Sequence, residues 1–250
     1  TPLYSSAASD VYKRQELQGA ITRVYDAFEP VQRLADSLRF HQAPPLRLVG
    51  IPPLVQQLLP QCIAALRRRF ADTPCSLLGQ STRDMVHSLL LRDCDLGLSL
   101  HDPQHPDIHS QALAQGKLFL LAPHGWLQPK QKYVALQDLA GQAMVGLEGQ
   151  DPLSVMLASK LQNLRPSPVI QTRVQTYQMM RSLVEAGEGL AIVDPFTAVG
   201  ARSAGLDVCP LSPPISVTLY ALRRHGSDSS PLTTALLELL TEQAEALLAG

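Results

Sequence analysis

The histidines His101, His105 and His109 recur at four-residue intervals, with Asp102 and Asp107 between them. On a helix that spacing stacks three imidazoles on one face, an arrangement a transition metal takes. Pro103 and Pro106 forbid a continuous helix there, because each removes a backbone donor and clashes with the preceding turn. The stretch therefore reads as a solvated loop following a strand, with no metal. Nucleophilic chemistry has no better footing. No G-x-S-x-G elbow occurs, Gly187-Glu188-Gly189 lacks the third glycine and upstream strand of a dinucleotide fingerprint, and no Walker-type phosphate loop is present. Glu188 and Asp194 flank one apolar strand, a placement that suits a turn residue and a strand-end cap better than an acid–base pair. No catalytic residue and no cofactor are expected.

What remains is a pair of helix starts that follow strands. Gln80-Ser81-Thr82-Arg83-Asp84 offers two hydroxyls, a capping pair in Ser81 and Asp84, and the free N–H groups of a first turn. Val174-Gln175-Thr176 repeats the arrangement further along. Such starts bind a small carboxylate without a charged side chain. Each taken alone is equally well read as ordinary capping.

Positioning those starts takes alternating strands and helices. Strands are predicted over residues 46–51, 75–79, 95–100, 117–122, 143–147, 168–174, 189–193, 208–211 and 215–222. Helices are predicted over 54–70, 81–92, 152–163, 176–185 and 231–248; the first repeats Leu54, Leu58, Cys62, Leu66 and Phe70 and carries Arg67, Arg68 and Arg69 in its last turn, where cations suit the dipole. The alternation means an α/β fold with largely parallel sheets, in two series joined by crossover strands at 117–122 and 217–222. Ahead of it, Leu17, Ile21, Val24, Phe28, Val31, Ala35 and Leu38 follow a 4-3-4-3-4-3 spacing. This heptad seam fits a helix that pairs with another helix, as in a dimer contact, or one that packs on its own domain; Pro30 should kink it. Residues 1–15 have no period and resemble a translated sequencing adapter, so they are set aside as a non-native leader on a fragment.

The composition agrees with a globular chain: of 250 residues, 45% are hydrophobic and only 17% charged, which excludes disorder. A net charge of −1 gives no electrostatic footprint for nonspecific nucleic-acid binding. Cys62, Cys75, Cys94 and Cys209 show no C-x-x-C spacing and read as small core hydrophobes, free thiols of a reducing compartment. No apolar run reaches the roughly 20 residues of a membrane span, and no signal sequence is evident.

From Leu46 onward the order of segments resembles the effector-binding domain of LysR-type transcriptional regulators. The resemblance is carried by LRLVGIPPLVQQLLPQCIAALRRRF, GQSTRDMVHSLLLRDCDLGLSL, GKLFLLAPHG, LQDLAGQAMVGLE and VQTYQMMRSLVEAGEGLAIVDPFTA, and it covers residues 16–250. It implies a type II periplasmic-binding-protein-like fold of two α/β lobes with a cleft, preceded by a dimerisation helix, in agreement with the heptad seam. The expected division is a linker helix at 16–41, lobe I at 46–122 plus 223–250, and lobe II at 123–222. Family members carry an N-terminal winged helix-turn-helix; promoter DNA is expected as a partner only through that domain, which this sequence does not contain. A small-molecule effector, a homodimer or homotetramer, a cytoplasmic location and no membrane are the other implied partners and setting.

By position, the resemblance assigns cleft contacts to Pro53, Ser81, Thr82, His101, Gly149, Gln150, Gln175, Thr176 and Asp194. Pro53 stands where many members have a hydroxyl. IPPL and GLAIVDPFTA are similar to a subgroup with opine-responsive and lysine-biosynthesis regulators, which implies an amino-acid-like effector whose amine would meet Asp194. The expected function is effector sensing without catalysis. A solute-binding protein of a transporter, built on the same fold, is the alternative.

Overall fold

The computed structural model describes residues 45–149, 152–227 and 230–249. The leader, the heptad helix at 16–41 and Gln150 lie outside the described residues.

Leu46, Leu48 and Val49 are all buried, as expected for a strand covered on both faces. They form β1 (Leu46–Gly50), which is followed by α1 (Pro52–Gln57), α2 (Leu59–Arg69), β2 (Cys75–Gly79), α3 (Thr82–Leu90), β3 (Leu96–Ser99) and β4 (Ile108–Lys117). The second lobe takes β5 (Phe119–Ala122), β6 (Val134–Ala135), β7 (Ala143–Leu147), α4 (Pro152–Gln162), β8 (Val169–Val174), α5 (Tyr177–Glu185), β9 (Ala191–Val193), α6 (Pro195–Ser203) and β10 (Asp207–Ser212). The chain returns through β11 (Ser216–Arg224) and closes with α7 (Pro231–Ala249). The first sheet has the order β2-β1-β3-β11-β4; β1 runs parallel to β2 and β3, and β11 antiparallel to β3 and β4. The second has the order β6-β10-β5-β9, and the parallel pair β7-β8 joins it where Val145 and Leu190 exchange backbone bonds with the facing strand. The two-lobe α/β architecture matches the expectation, but the sheets are mixed rather than largely parallel: among the described strands four pairings are parallel and four antiparallel, because β11 and β5 return between lobes against their neighbours.

Several boundaries are corrected. The predicted strand at 117–122 is two strands in different sheets: the chain passes between lobes at Leu118, which is fully buried and donates its N–H to the Ile215 carbonyl at 2.9 Å. The lobes therefore divide beside Leu118 and Ile215, so that residues 119–122 belong to the second sheet and 216–224 to the first. The predicted helix 54–70 breaks at Leu58, because Pro60 has no N–H for the Gln56 carbonyl; Leu54, Leu58, Cys62 and Leu66 still share one buried face. Strand β4 was not expected, since its inward residues are Ile108 and Leu113, which differ in parity. A register shift opposite Leu219/Tyr220 reconciles them by making Leu113 the extra residue of a bulge.

Helices pack on both faces of the sheets, while the edge strand β2 is mostly exposed. In the first lobe α1, α2 and α7 cover one face and α3 the other. Gly97 lets α3 lie close, since a Cβ there would stand 2.5 Å from Met85 Sδ. Helix α6 ties the lobes together by inserting fully buried Phe196 into the first lobe's core. The four cysteines are free, and burial pushes the Cys62 and Cys94 thiols up to about 12, which leaves them protonated and inert.

Candidate functional site

The ends of β1, β2, β3, β7 and β8 all point to one place, the opening between the lobes where open α/β sheets expose their ligand-facing loops. A cavity of about 650 Å³ lies there. Its first-lobe wall is made by Ile51, Pro52 and Pro53 at the start of α1, Gln80 to Arg83 and Val86 at the start of α3, and Leu100, His101, Pro103 and His105 after β3. Its second-lobe wall is made by Leu147, Glu148 and Gly149 after β7, Leu153 of α4, and Gln175, Thr176 and Tyr177 at the start of α5.

The start of α3 faces the cavity with its first turn. Ser81 is the N-cap: its Oγ accepts from Asp84 N–H at 3.2 Å and donates to Asp84 Oδ2 at 2.6 Å. Met85 N–H is spent on the Ser81 carbonyl, so Thr82 N–H and Arg83 N–H have no partner among the described residues. Such first-turn amides are the donors that hold a carboxylate. Thr82 is buried, and its Oγ1 lies 2.9 Å from Ser99 Oγ, which in turn accepts the His101 N–H at 3.2 Å. If Ser99 donates to Thr82, the Thr82 proton is left for the cavity. Across the opening, Thr176 caps α5 by accepting from Met179 N–H at 3.2 Å. The start of α1 differs: Pro52 and Pro53 occupy its first two positions and offer no N–H, so this edge is an apolar wall.

Of the nine expected contacts, Pro53, Ser81, Thr82, His101, Gly149, Gln175 and Thr176 line this cavity. Asp194 does not. It has no exposed surface, and its carboxylate caps α6 by accepting from Phe196 N–H at 2.9 Å, Thr197 N–H at 3.0 Å and the Thr197 hydroxyl. Burial pushes it up to about 6, against the pull of those bonds. The reading of Asp194 as an amine partner is thereby overturned, and its reading as a strand-end cap holds. The signal was in the sequence, since Asp-Pro is the N-cap and first position of a helix.

The three spaced histidines separate: His101 and His105 line the cavity, while His109 stands on β4 with its ring 5.8 Å from that of His225. Among the described residues no group of three or more His, Cys, Asp or Glu side chains is placed to hold a metal. Sequence reasoning missed Arg83, His105, Glu148 and Tyr177 as cavity residues. Arg83, Glu148 and Tyr177 adjoin the expected contacts Thr82, Gly149 and Thr176, and a one-residue extension at each would have found them.

A two-lobed α/β module with its cavity at the strand ends between the lobes is a receptor module of periplasmic-binding-protein type. The chain belongs to the LysR substrate binding domain family, which matches residues 41–245, and it is the effector-binding part of a LysR-type regulator. It is 26% identical over 220 residues to the HTH-type transcriptional regulator AdmX of Serratia plymuthica, covering 88% of this chain and 69% of that protein. To the HTH-type transcriptional regulator DgcR of a Pseudoalteromonas species it is 23% identical over 223 residues, covering 88% and 76%. The fold is similar to the effector-binding domain of QuiR in complex with shikimate, with a TM-score of 0.66 and 17% identity over 80% of this chain and 97% of that one.

Proposed function

We propose that this chain senses a small amino-acid-like carboxylate in the interlobe cavity and that binding shifts the closure of the lobes without any reaction. The observation that carries the reading is the start of α3. Two unspent amides and the Thr82 hydroxyl converge there on a cavity that the second lobe closes with Gln175 and Thr176. The bound shikimate of QuiR, a carboxylate in a domain of the same fold, supports that ligand class. With Asp194 sealed away, Glu148 is the one acid lining the cavity among the described residues and becomes the partner for a ligand amine.

In the same reading the chain is non-enzymatic and works in the cytoplasm, as part of a regulator that reaches promoter DNA through a helix-turn-helix. Among the described residues no helix is long and apolar enough to cross a membrane. The heptad face at 16–41 supports self-association; replacing Val24 and Phe28 with Asp should lower the oligomeric state in sedimentation, and an unchanged state would assign that helix to its own chain. The cavity reading is tested by a thermal-shift screen of amino acids, opines and mono- and dicarboxylates. Stabilisation by carboxylates, absent for their methyl esters, is expected; ligands that stabilise equally as esters would reject it.

A further inference from the structure

The two walls of the cavity differ in charge. The first-lobe wall carries Arg83, His101 and His105, and no described residue lining it is acidic. The second-lobe wall carries Glu148 as its one carboxylate among the described residues. Arg83 is exposed at the second position of α3 and makes no ion pair with a described residue. Its neighbour Asp84, the nearest acid in sequence, is engaged by the Ser81 hydroxyl at 2.6 Å, and Asp102 by Ser110 Oγ at 2.7 Å and Gln104 N–H at 2.9 Å. His105 Nδ1 accepts the Asp107 N–H at 3.2 Å, which puts the ring proton on Nε2 and makes that nitrogen a donor.

One carboxylate is already provided for by Thr82 N–H, Arg83 N–H and the Thr82 hydroxyl. The Arg83 guanidinium and the His105 Nε2–H are surplus to it, and both stand on the same wall, from different elements. We infer that the cavity takes a ligand with two acidic groups, the second of which is held by Arg83 and His105 while Glu148 faces an amine or excludes a third acid. The inference rests on the reading that the first carboxylate sits at the start of α3. About 650 Å³ leaves room for a carbon chain between the two acids, since sites of 300 to 1,000 Å³ hold ligands larger than a simple amino acid.

The test compares matched pairs on the whole chain by calorimetry at low salt: glutarate, glutamate and 2-aminoadipate against their ω-amides, which keep the shape and delete one charge. For at least one pair the diacid should bind about tenfold tighter than its amide, the size of one charge-assisted contact in an open cleft. Arg83→Gln should erase that gap and leave the amide's affinity within about twofold, and Arg83→Lys should restore part of it. Because Arg83 is solvent-exposed, both variants should keep the parent melting temperature. Acid and amide binding equally well, or a gap that survives Arg83→Gln, would overturn the inference and leave the carboxylate reading standing. Binding by no member of any pair would reject the inference together with that reading.

Discussion

The start of α3 and the start of α6 are built from the same parts. Each follows a strand and a polar N-cap, and each opens onto a helix with a buried face. They differ in how many first-turn amides are spent. At α6, Pro195 has no N–H, Phe196 and Thr197 donate to the Asp194 carboxylate, and Ala198 donates to its carbonyl, so nothing is left for a ligand. At α3, the Ser81 side chain takes one amide and its carbonyl another, and two remain beside the cavity. A short cap followed by non-proline residues leaves first-turn amides unspent; a carboxylate cap followed by proline leaves none.

The largest effect should come from opening the sealed end. Asp194→Ala leaves two buried N–H groups and the Thr197 hydroxyl without their acceptor, so at pH 5 it should cost about 4 kcal/mol of unfolding free energy in urea titration. A loss below about 1 kcal/mol would show that water enters and that this end is not sealed.

The next effect is in the pH profile. Asp194 in the fold takes up its proton near pH 6, while the unfolded chain does so in the ordinary carboxylate range near 4. The folded state therefore holds more protons between these values, and the stabilisation from Asp194 is complete below about pH 4 and lost as pH rises through 6. About two units correspond to about 3 kcal/mol over that window. Asp194→Asn keeps an acceptor for both amides and has no charge to bury, so its stability should vary less between pH 4 and 6 and should match or exceed the parent at pH 7.5. A profile identical to the parent's would assign the pH dependence to other groups.

How much of this contrast was legible depends on local chemistry. Pattern alone placed β1, β2, β3, α3, α5 and the helix-start residues Ser81, Thr82, Gln175 and Thr176, because strand ends and caps are short-range signals; Pro53, His101 and Gly149 came only from the family resemblance. It failed where the decision is tertiary. Strand β4 hides behind a bulge that changes the parity of its inward residues, and the lobe boundary at Leu118 is invisible because Leu118 to Leu121 are all apolar and all buried, whichever sheet takes them. The helix α6 was missed although Asp194-Pro195 announces it, since Gly200 and the small residues after Phe196 weaken the apolar period. His105 comes from a loop whose placement beside α3 only the assembled sheets determine.

At the open end, Thr82→Val should lower carboxylate affinity by about 1 to 3 kcal/mol, since it deletes a donor within reach of the bound group. It also strips buried Ser99 of its hydroxyl partner, so a loss of about 1 kcal/mol in stability should accompany it. Ser99→Ala separates the two effects: it also removes the acceptor of the His101 N–H, so it should cost at least as much stability, while leaving the Thr82 hydroxyl to the ligand. Equal affinities in the parent and Thr82→Val would move the carboxylate away from this helix start.

The smallest effect isolates capping itself. Ser81 and Asp194 both accept first-turn amides, but Ser81 is exposed, and water can replace its oxygen at Asp84 N–H once the side chain is gone. Ser81→Ala should therefore cost only about 0.5 to 1 kcal/mol. It also releases the Asp84 carboxylate from the 2.6 Å bond that holds it, and a free acid one residue from Arg83 competes for the guanidinium. Affinity for diacids should then fall slightly more than affinity for their ω-amides, by about twofold in a weakly screened exposed pair. If Ser81→Ala instead destabilised the fold as much as Asp194→Ala, the difference between the two ends would lie in the cap residues themselves and not in their burial.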